Sequence, residues 1–163
     1  MTDVHGFRNE FAFLSNFFAA PVEIGRWNGK DVEKLVLPTS EHHYQFLKAR
    51  YHAGQQAIIN CATPGQAKRE GRRIIMKPDW NVKRTGYMTI VVRAKFDQHP
   101  ELAEKLMAID GEIVEENNWN DTFWGVCNGV GENHLGKILM STREWLQARR
   151  NIVNHEKEWA KKD

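Results

Sequence analysis

Apolar positions along this chain recur with two periods, and the changes between them fall at proline, glycine and asparagine. Two short apolar runs, Pro21-Val22-Glu23-Ile24 and Leu35-Val36-Leu37, flank Asn28-Gly29. That dipeptide suits a tight turn because both residues accept left-handed backbone, so the spacing predicts a hairpin or small sheet. A helix is predicted next, from about Thr39 to Tyr51. Pro38 biases its entry, Thr39 or Ser40 caps its first amides, and Glu41 falls in the first turn, where the helix dipole favours an anion. Gly54 is expected to end it, and a short helix covers Gln55 to Asn60. Thr63-Pro64 reads as N-cap and first residue of a basic helix carrying Lys68, Arg69, Arg72 and Arg73.

Lys77-Pro78-Asp79-Trp80 reads as a break. Met88, Val91, Val92 and Phe96 then repeat as a buried helical face, with the β-branched stretch Thr89 to Val92 leaving a strand as the alternative. His99-Pro100 opens a further helix with Leu102, Leu106 and Ile109 inward, closed by Asp110-Gly111. Ile113-Val114 is a candidate strand, and Trp119 to Gly131 is a loop rich in Asn, Gly and aromatics. The last helix begins near Asn133, with Leu135, Ile138, Leu139, Trp145 and Leu146 on its apolar face. Beyond Arg149 the tail is polar and is expected to fray. No repeat or linker interrupts the pattern. The prediction is a single helix-rich α+β domain with a small β-sheet, its core at about residues 11–149 of 1–163.

Composition narrows the classes. The chain has 163 residues, 41% of them apolar and 27% charged, which is a globular rather than a disordered balance. A net charge of +2 supplies no global field for gripping nucleic acid. Cys61 and Cys127 are far apart, so neither a disulfide framework nor a zinc site follows, and both read as small buried residues. The first residues lack a basic segment followed by an apolar run, and no apolar run approaches the roughly 18 residues of a membrane span. A cytoplasmic protein without membrane contact is expected. His42 and His43 are adjacent, hence about 100° apart on a helix and poorly placed to share one ion. No metal and no cofactor are expected.

The candidate chemistry starts at Glu41, Gln45 and Lys48, whose offsets align them on one side of the predicted helix. A carboxylate, an amide and an amine thus form a polar ridge flanked by Tyr44 and Phe46, with an ordinary solvated face as the competing reading. The loop Asp121 to Asn133 has glycines at 125, 129 and 131 and leads into a helix N-terminus. Backbone amides there suit a phosphate or other anion, while Asn133 reads equally as a plain N-cap. Asp121 precedes Phe123 and Trp124, and a carboxylate beside an apolar wall can act as acid, base or cation stabiliser; otherwise it is a turn aspartate. Trp80 is either core or a platform for a nucleobase. Arg72 can pair with phosphate, whereas Arg73 reads as a solvated charge.

These residues resemble the NADAR (YbiA-like) family of N-glycosidases from about Phe11 to Leu146. The resemblance is carried by Leu14-Ser15-Asn16-Phe17, the Pro-Thr-x-Glu-His-x-x-Gln-x-x-Lys pattern from Pro38 to Lys48, Gly71-Arg72 and Asp79-Trp80. Arg93-Ala94-Lys95-Phe96, Gln98-His99-Pro100, Asp121-x-x-Trp124-Gly125, Asn133-x-Leu135-Gly136, Leu139-Met140 and Arg143 follow in order. It implies cleavage of the bond between ribose and a base-like group. The implied substrates are phosphoribosylated pyrimidine intermediates of riboflavin biosynthesis, or ADP-ribose attached to guanine in nucleic acid. Glu41, Trp80 and Asp121 or Trp124 would line the site, and Lys48 matches a lysine thought to form a Schiff base with the opened ribose. The chain departs from the family where a basic residue often flanks the position of Asn133, since Glu132 and His134 stand there.

Breaking such a bond leaves positive charge on the ribose and negative charge on the departing nitrogen. Glu41 or Asp121 is expected to share the acid/base work, and Lys48 is an alternative nucleophile at C1′. Trp80 and Trp124 would stack on or wall the base, while Ser15, Asn16, Gln45, Arg72, Gly125 and Asn133 would bind the rest of a nucleotide-like substrate. A module that binds ADP-ribose or a nucleotide without cleaving it is the alternative, and a Trp-rich protein-interaction surface is a third reading. Because acid and lysine are both present, an enzyme is the reading carried forward.

Overall fold

The structure, a computed structural model, describes residues 1–162. In chain order it contains β1 (Val4–His5), a 3-10 helix (Asn9–Leu14), β2 (Val22–Trp27), β3 (Val32–Leu37), α1 (Ser40–Lys48) and α2 (His52–Ile59). These are followed by α3 (Pro64–Glu70), α4 (Trp80–Gln98), α5 (Pro100–Met107), β4 (Ile113–Val114), β5 (Glu116–Asn117), β6 (Val126–Cys127) and α6 (His134–Trp159). This is the helix-rich α+β fold the pattern predicts, its strands in three two-stranded pairs. The chain divides into two compact units, Phe7–His99, and Met1–Gly6 with Pro100 onward.

In the unit from Phe7 to His99, β2 and β3 pair antiparallel from Val22↔Leu37 to Trp27↔Val32. The turn between them spans four residues rather than two. Asn28 Oδ1 accepts the amides of Lys30 and Asp31, and Gly29 takes φ +99°. The other end of β2 is tied to α4 by Gln98, whose side chain accepts the Glu23 amide and donates to the Glu23 carbonyl. α1 lies at the centre, packed on α2, α3 and α4. Its inward side joins Leu37, Phe46, Ile58 and Ala67 in one apolar cluster with Leu35, Leu47, Ile59, Cys61 and Ile74 around it. Residues 80–98 are helical throughout, which settles the choice left open at Thr89 to Val92.

Boundaries differ from the sequence reading in physical ways. α1 stops at Lys48 because Ala49 turns extended, and Gly54 sits inside α2 rather than ending a helix. A Cβ at Gly54 would lie 3.3 Å from both Ala49 and Ile74, so this glycine serves close packing. The basic helix α3 ends at Glu70, short of Arg72 and Arg73. Its start is a full capping box between Thr63 and Gln66, as the Thr-Pro signal predicts.

In the other unit β1 runs parallel to β4 and β5 parallel to β6. α6 packs on α5 and β4. Arg143 on α6 clasps the turn after α5, donating to the carbonyls of Ile109 (2.6 Å) and Gly111 (2.8 Å). The expectation of a frayed tail is corrected: α6 continues to Trp159, although residues 147–162 are exposed. Among the described residues no helix is long and apolar enough to cross a membrane, and no cluster of three His, Cys, Asp or Glu could hold a metal ion.

Candidate active site

Thr39 begins the construction. Its hydroxyl accepts the His42 amide (3.3 Å) and bonds His42 Nδ1 (2.8 Å), while His42 Nε2 meets the Cys61 carbonyl (3.0 Å). A neutral imidazole protonated on Nε2 satisfies all three contacts. Burial holds His42 below its ordinary pKa, opposed by the bond to Cys61. Burial also lowers His43, whose Nε2 reaches the Val22 carbonyl at 2.5 Å, the hydrogen bond to that carbonyl opposing it. Both histidines are therefore fixtures that seat α1, consistent with their poor placement for a shared metal.

With α1 seated, Glu41, Tyr44, Gln45 and Lys48 follow one another along a single face. Glu41 is only 7% exposed. Its backbone amide, one of the free donors at the helix start, is met by the Asn16 carbonyl at 3.1 Å. Its carboxylate accepts Gln45 Nε2 at 2.8 Å. Gln45 Oε1 is buried without a hydrogen-bond donor and presses toward Gly71, where an added Cβ would come within 1.9 Å of it. Lys48 Nζ donates to the Gly71 carbonyl at 2.6 Å. Desolvation lowers the Lys48 pKa; Glu41 opposes that shift and Arg72 adds to it. The predicted ridge thus exists, buried at its acid end and half-buried at its amine.

The remaining expected residues of this unit divide. Ser15 and Asn16 are held rather than open: Ser15 Oγ accepts the Phe17 amide (3.1 Å), and Asn16 Nδ2 contacts Met88 Sδ (3.2 Å). Arg72 is exposed next to Lys48. Trp80 is 3% exposed, stacked on Tyr87 with centroids 5.4 Å apart and tilted against Tyr44 at 5.0 Å. It therefore backs the ridge through Tyr44 as a wall, with no open face.

One residue of this region has a role that the sequence reading did not assign. Lys95 is 1% exposed and donates to the carbonyls of Phe13 (2.5 Å) and Ser15 (2.9 Å), fixing the segment that reaches α1. Burial lowers its pKa to about 7. The signal was available, because position 95 continues the buried series 88, 91, 92 of α4. A lysine on that face must either find carbonyl acceptors or lose its charge.

Asp121, Trp124, Gly125 and Asn133 belong to the other unit, where they hold one another. Asp121 Oδ1 accepts the amides of Phe123 (3.1 Å) and Trp124 (2.8 Å), the geometry of a turn aspartate. Gly125 is buried, and a Cβ there would be 1.7 Å from Glu115 Oε2 and 2.1 Å from the Glu115 carbonyl. Asn133 takes the N-cap position that was read for it, but without capping chemistry. Its backbone is left-handed with no capping bond, and its side chain instead donates to the Ile113 carbonyl (2.9 Å) and accepts the Glu115 amide (3.0 Å). The anion-binding reading of this helix start is corrected. The amides of Glu132, Asn133, His134 and Leu135 donate to the carbonyls of Thr122, Gly125, Phe123 and Trp124 respectively. Those donors are spent inside the loop. The flanking Glu132 and His134 pair with each other at 3.0 Å.

A carboxylate, an amide and a partly desolvated amine on one helix face are the equipment of an enzyme that moves protons or forms an imine. Comparison with known proteins gives that equipment its lineage: the model of the NADAR domain matches residues 5–147, and the chain belongs to this family. It is 34% identical over 141 residues to N-glycosidase YbiA of Shigella boydii, covering 85% of this chain and 83% of that one. N-glycosidase Npun_R5314 of Nostoc punctiforme is 36% identical over 133 residues, 78% of this chain and 83% of its own. Riboflavin biosynthesis protein VVA0006 of Vibrio vulnificus is 34% identical over 138 residues, 83% of this chain but 35% of that longer protein. The NMR structure of the E. coli protein YbiA superposes with a TM-score of 0.76 at 31% identity, covering 91% of this chain and 86% of that one.

Proposed function

We propose that this protein is an N-glycosidase that hydrolyses the bond between ribose 5-phosphate and the amine of a pyrimidine intermediate related to riboflavin synthesis. The observation that carries the reading is the run Glu41–Gln45–Lys48 on one helix face, in which an amide holds a buried carboxylate and burial inclines the amine toward its neutral form. N-glycosidase relatives at 34% and 36% identity supply the reaction class. The riboflavin biosynthesis relative supplies the substrate class. A net charge of +2 fits a small metabolite better than a long polyanion.

In this mechanism neutral Lys48 attacks ribose C1′ as the C1′–N bond breaks, and Glu41 delivers the proton that the departing nitrogen needs. Glu41 then carries the surplus proton of the alkylated Nζ to the ring oxygen, the C1′–O4′ bond breaks, and an imine between C1′ and Nζ remains. Water then adds to the imine, releases the sugar and returns the amine. The balance is one water consumed, with one sugar and one free amine released. Gln45 holds the Glu41 carboxylate, its own Oε1 packed against Gly71. Ser15 and Asn16 set the turn beside α1, Arg72 attracts phosphate, and Trp80 backs Tyr44. Asp121, with Trp124, Gly125 and Asn133, shapes its own loop; its carboxylate is committed to two amides, so Glu41 takes the acid role.

The test is to incubate the purified protein with a ribose 5-phosphate-linked pyrimidine amine and, separately, with ADP-ribosylated guanine in DNA. Mass spectrometry then follows the freed base. Release from the first substrate is expected. Release from the second alone would move the substrate to nucleic acid, and no release with tight ADP-ribose binding would make the protein a binding module.

A further inference from the structure

Phe17 is a large aromatic left 42% exposed on a backbone that has almost no freedom. Its amide is bonded to Ser15 Oγ, and the Phe18 amide is bonded to the Ser15 carbonyl (3.1 Å). Lys95 grips the Phe13 and Ser15 carbonyls from below. The residue before it, Asn16, accepts the Glu41 amide. A lone exposed apolar side chain ordinarily needs no explanation. This one differs because its place is fixed one residue from the bond to Glu41 and its ring carries a cation: Lys68 Nζ lies 5.7 Å from its centroid.

Lys68 closes the geometry. It sits on α3 one turn before Gly71, whose carbonyl holds Lys48. From Lys48 the ridge runs back through Gln45 to Glu41, and from Glu41 through Asn16 to Phe17. Acid, amide, amine, Lys68 and the Phe17 ring thus form a closed circuit of neighbours within one unit. The orphaned Gln45 Oε1 lies on that circuit. Trp80 cannot supply a stacking face to it, being 3% exposed and already stacked on Tyr87.

We infer that Phe17 is the platform on which the leaving base stacks, and that Lys68, with its ammonium 5.7 Å from the ring centroid, selects a planar, carbonyl-bearing or anionic heterocycle. This rests on the N-glycosidase reading and names its recognition element. A π-face tolerates any flat heterocycle, so the ring supplies affinity. The ammonium adds preference, since it pairs with exocyclic oxygens of an electron-poor pyrimidine and with phosphate.

Steady-state kinetics on the ribose 5-phosphate-linked pyrimidine amine tests it, comparing Phe17→Ala, Phe17→Leu, Phe17→Trp and Lys68→Gln. Phe17→Ala should raise KM about tenfold to a hundredfold with kcat within about threefold. Phe17→Trp should restore KM, and Phe17→Leu, apolar but without a π-face, should not. Lys68→Gln should raise KM less, and more for the phosphorylated substrate than for its dephosphorylated form. An unchanged KM in Phe17→Ala, or full function in Phe17→Leu, would overturn the inference while leaving the enzymatic reading intact. Should the wild-type chain release no base, the enzymatic reading falls. Equilibrium titration of the same compound then decides: tighter binding to wild type than to Phe17→Ala upholds the platform, and equal or absent binding refutes it.

Discussion

Gln45 holds the acid on the helix face that also carries the amine of Lys48. Its Nε2 orients the Glu41 carboxylate, so Glu41→Gln keeps the shape of the contact but removes the transferable proton. Turnover should fall by about 10²–10⁴-fold with the melting temperature nearly unchanged, as general acid/base groups ordinarily contribute. Lys48→Ala should also abolish turnover. Collapse of either variant in a thermal melt would mark its residue as structural. The lowered Lys48 pKa has a pH consequence. The reactive amine is the neutral form, so the rate of imine formation should climb with pH and level off at a midpoint below the ordinary lysine value of 10.5. A midpoint at or above 10.5, read from single-turnover trapping, would contradict the desolvated amine. At this scale the sequence was most legible where chemistry follows helical spacing, because offsets on one helix fix direction. Lys95, quoted only within the stretch Arg93-Ala94-Lys95-Phe96, was given no role, although its position on the buried face of α4 marked it.

Among the elements, the glycine-rich loop and the start of α6 carry the sharpest lesson. Three glycines before a helix suggested amides open to an anion. Instead four successive amides, 132–135, are consumed by carbonyls of residues 122–125. A sequence displays donors but not their partners, and only the chain's path shows which are spent. Gly125 is needed for that path, since its missing side chain admits the Glu115 carbonyl. Gly125→Ala should therefore cost about 3 kcal/mol in urea unfolding, at the upper end of overpacking penalties, and a loss under about 0.5 kcal/mol would refute the close approach. The helix starts were readable at Thr39 and Thr63 because capping is local chemistry. The stop assigned to Gly54 was not, since that glycine answers to Ala49 and Ile74, which spacing within a helix cannot reveal. The end of α6 was misread for a related reason: polar composition after Arg149 predicts exposure, which the structure has, but exposure does not forbid a helix. Removing residues 151–163, which keeps the Arg150–Glu104 pair, should change stability by less than about 0.5 kcal/mol, because surface positions away from packed contacts contribute little.

For the whole molecule, three buried bases set how stability follows pH. The folded pKa of Lys95 is about 7, against 10.5 for a free lysine. Between those values the unfolded chain binds more protons than the folded one, so stability should rise with pH from 7 toward 10.5. His42 and His43 are also lowered, from 6.5, so stability present above that value is lost as pH falls below it. Thermal melts across pH 5 to 10 should show both limbs, and Lys95→Met should flatten the alkaline one; an identical alkaline slope in that variant would remove Lys95 as its source. The protein holds these groups around α1, where they seat the helix that carries the ridge. The decisive measurement is borohydride reduction during turnover of the ribose 5-phosphate-linked pyrimidine amine, followed by peptide mapping. The account predicts a sugar phosphate adduct on Lys48, absent in Lys48→Ala. Full turnover with residue 48 unlabelled, or the adduct on another lysine, would contradict it.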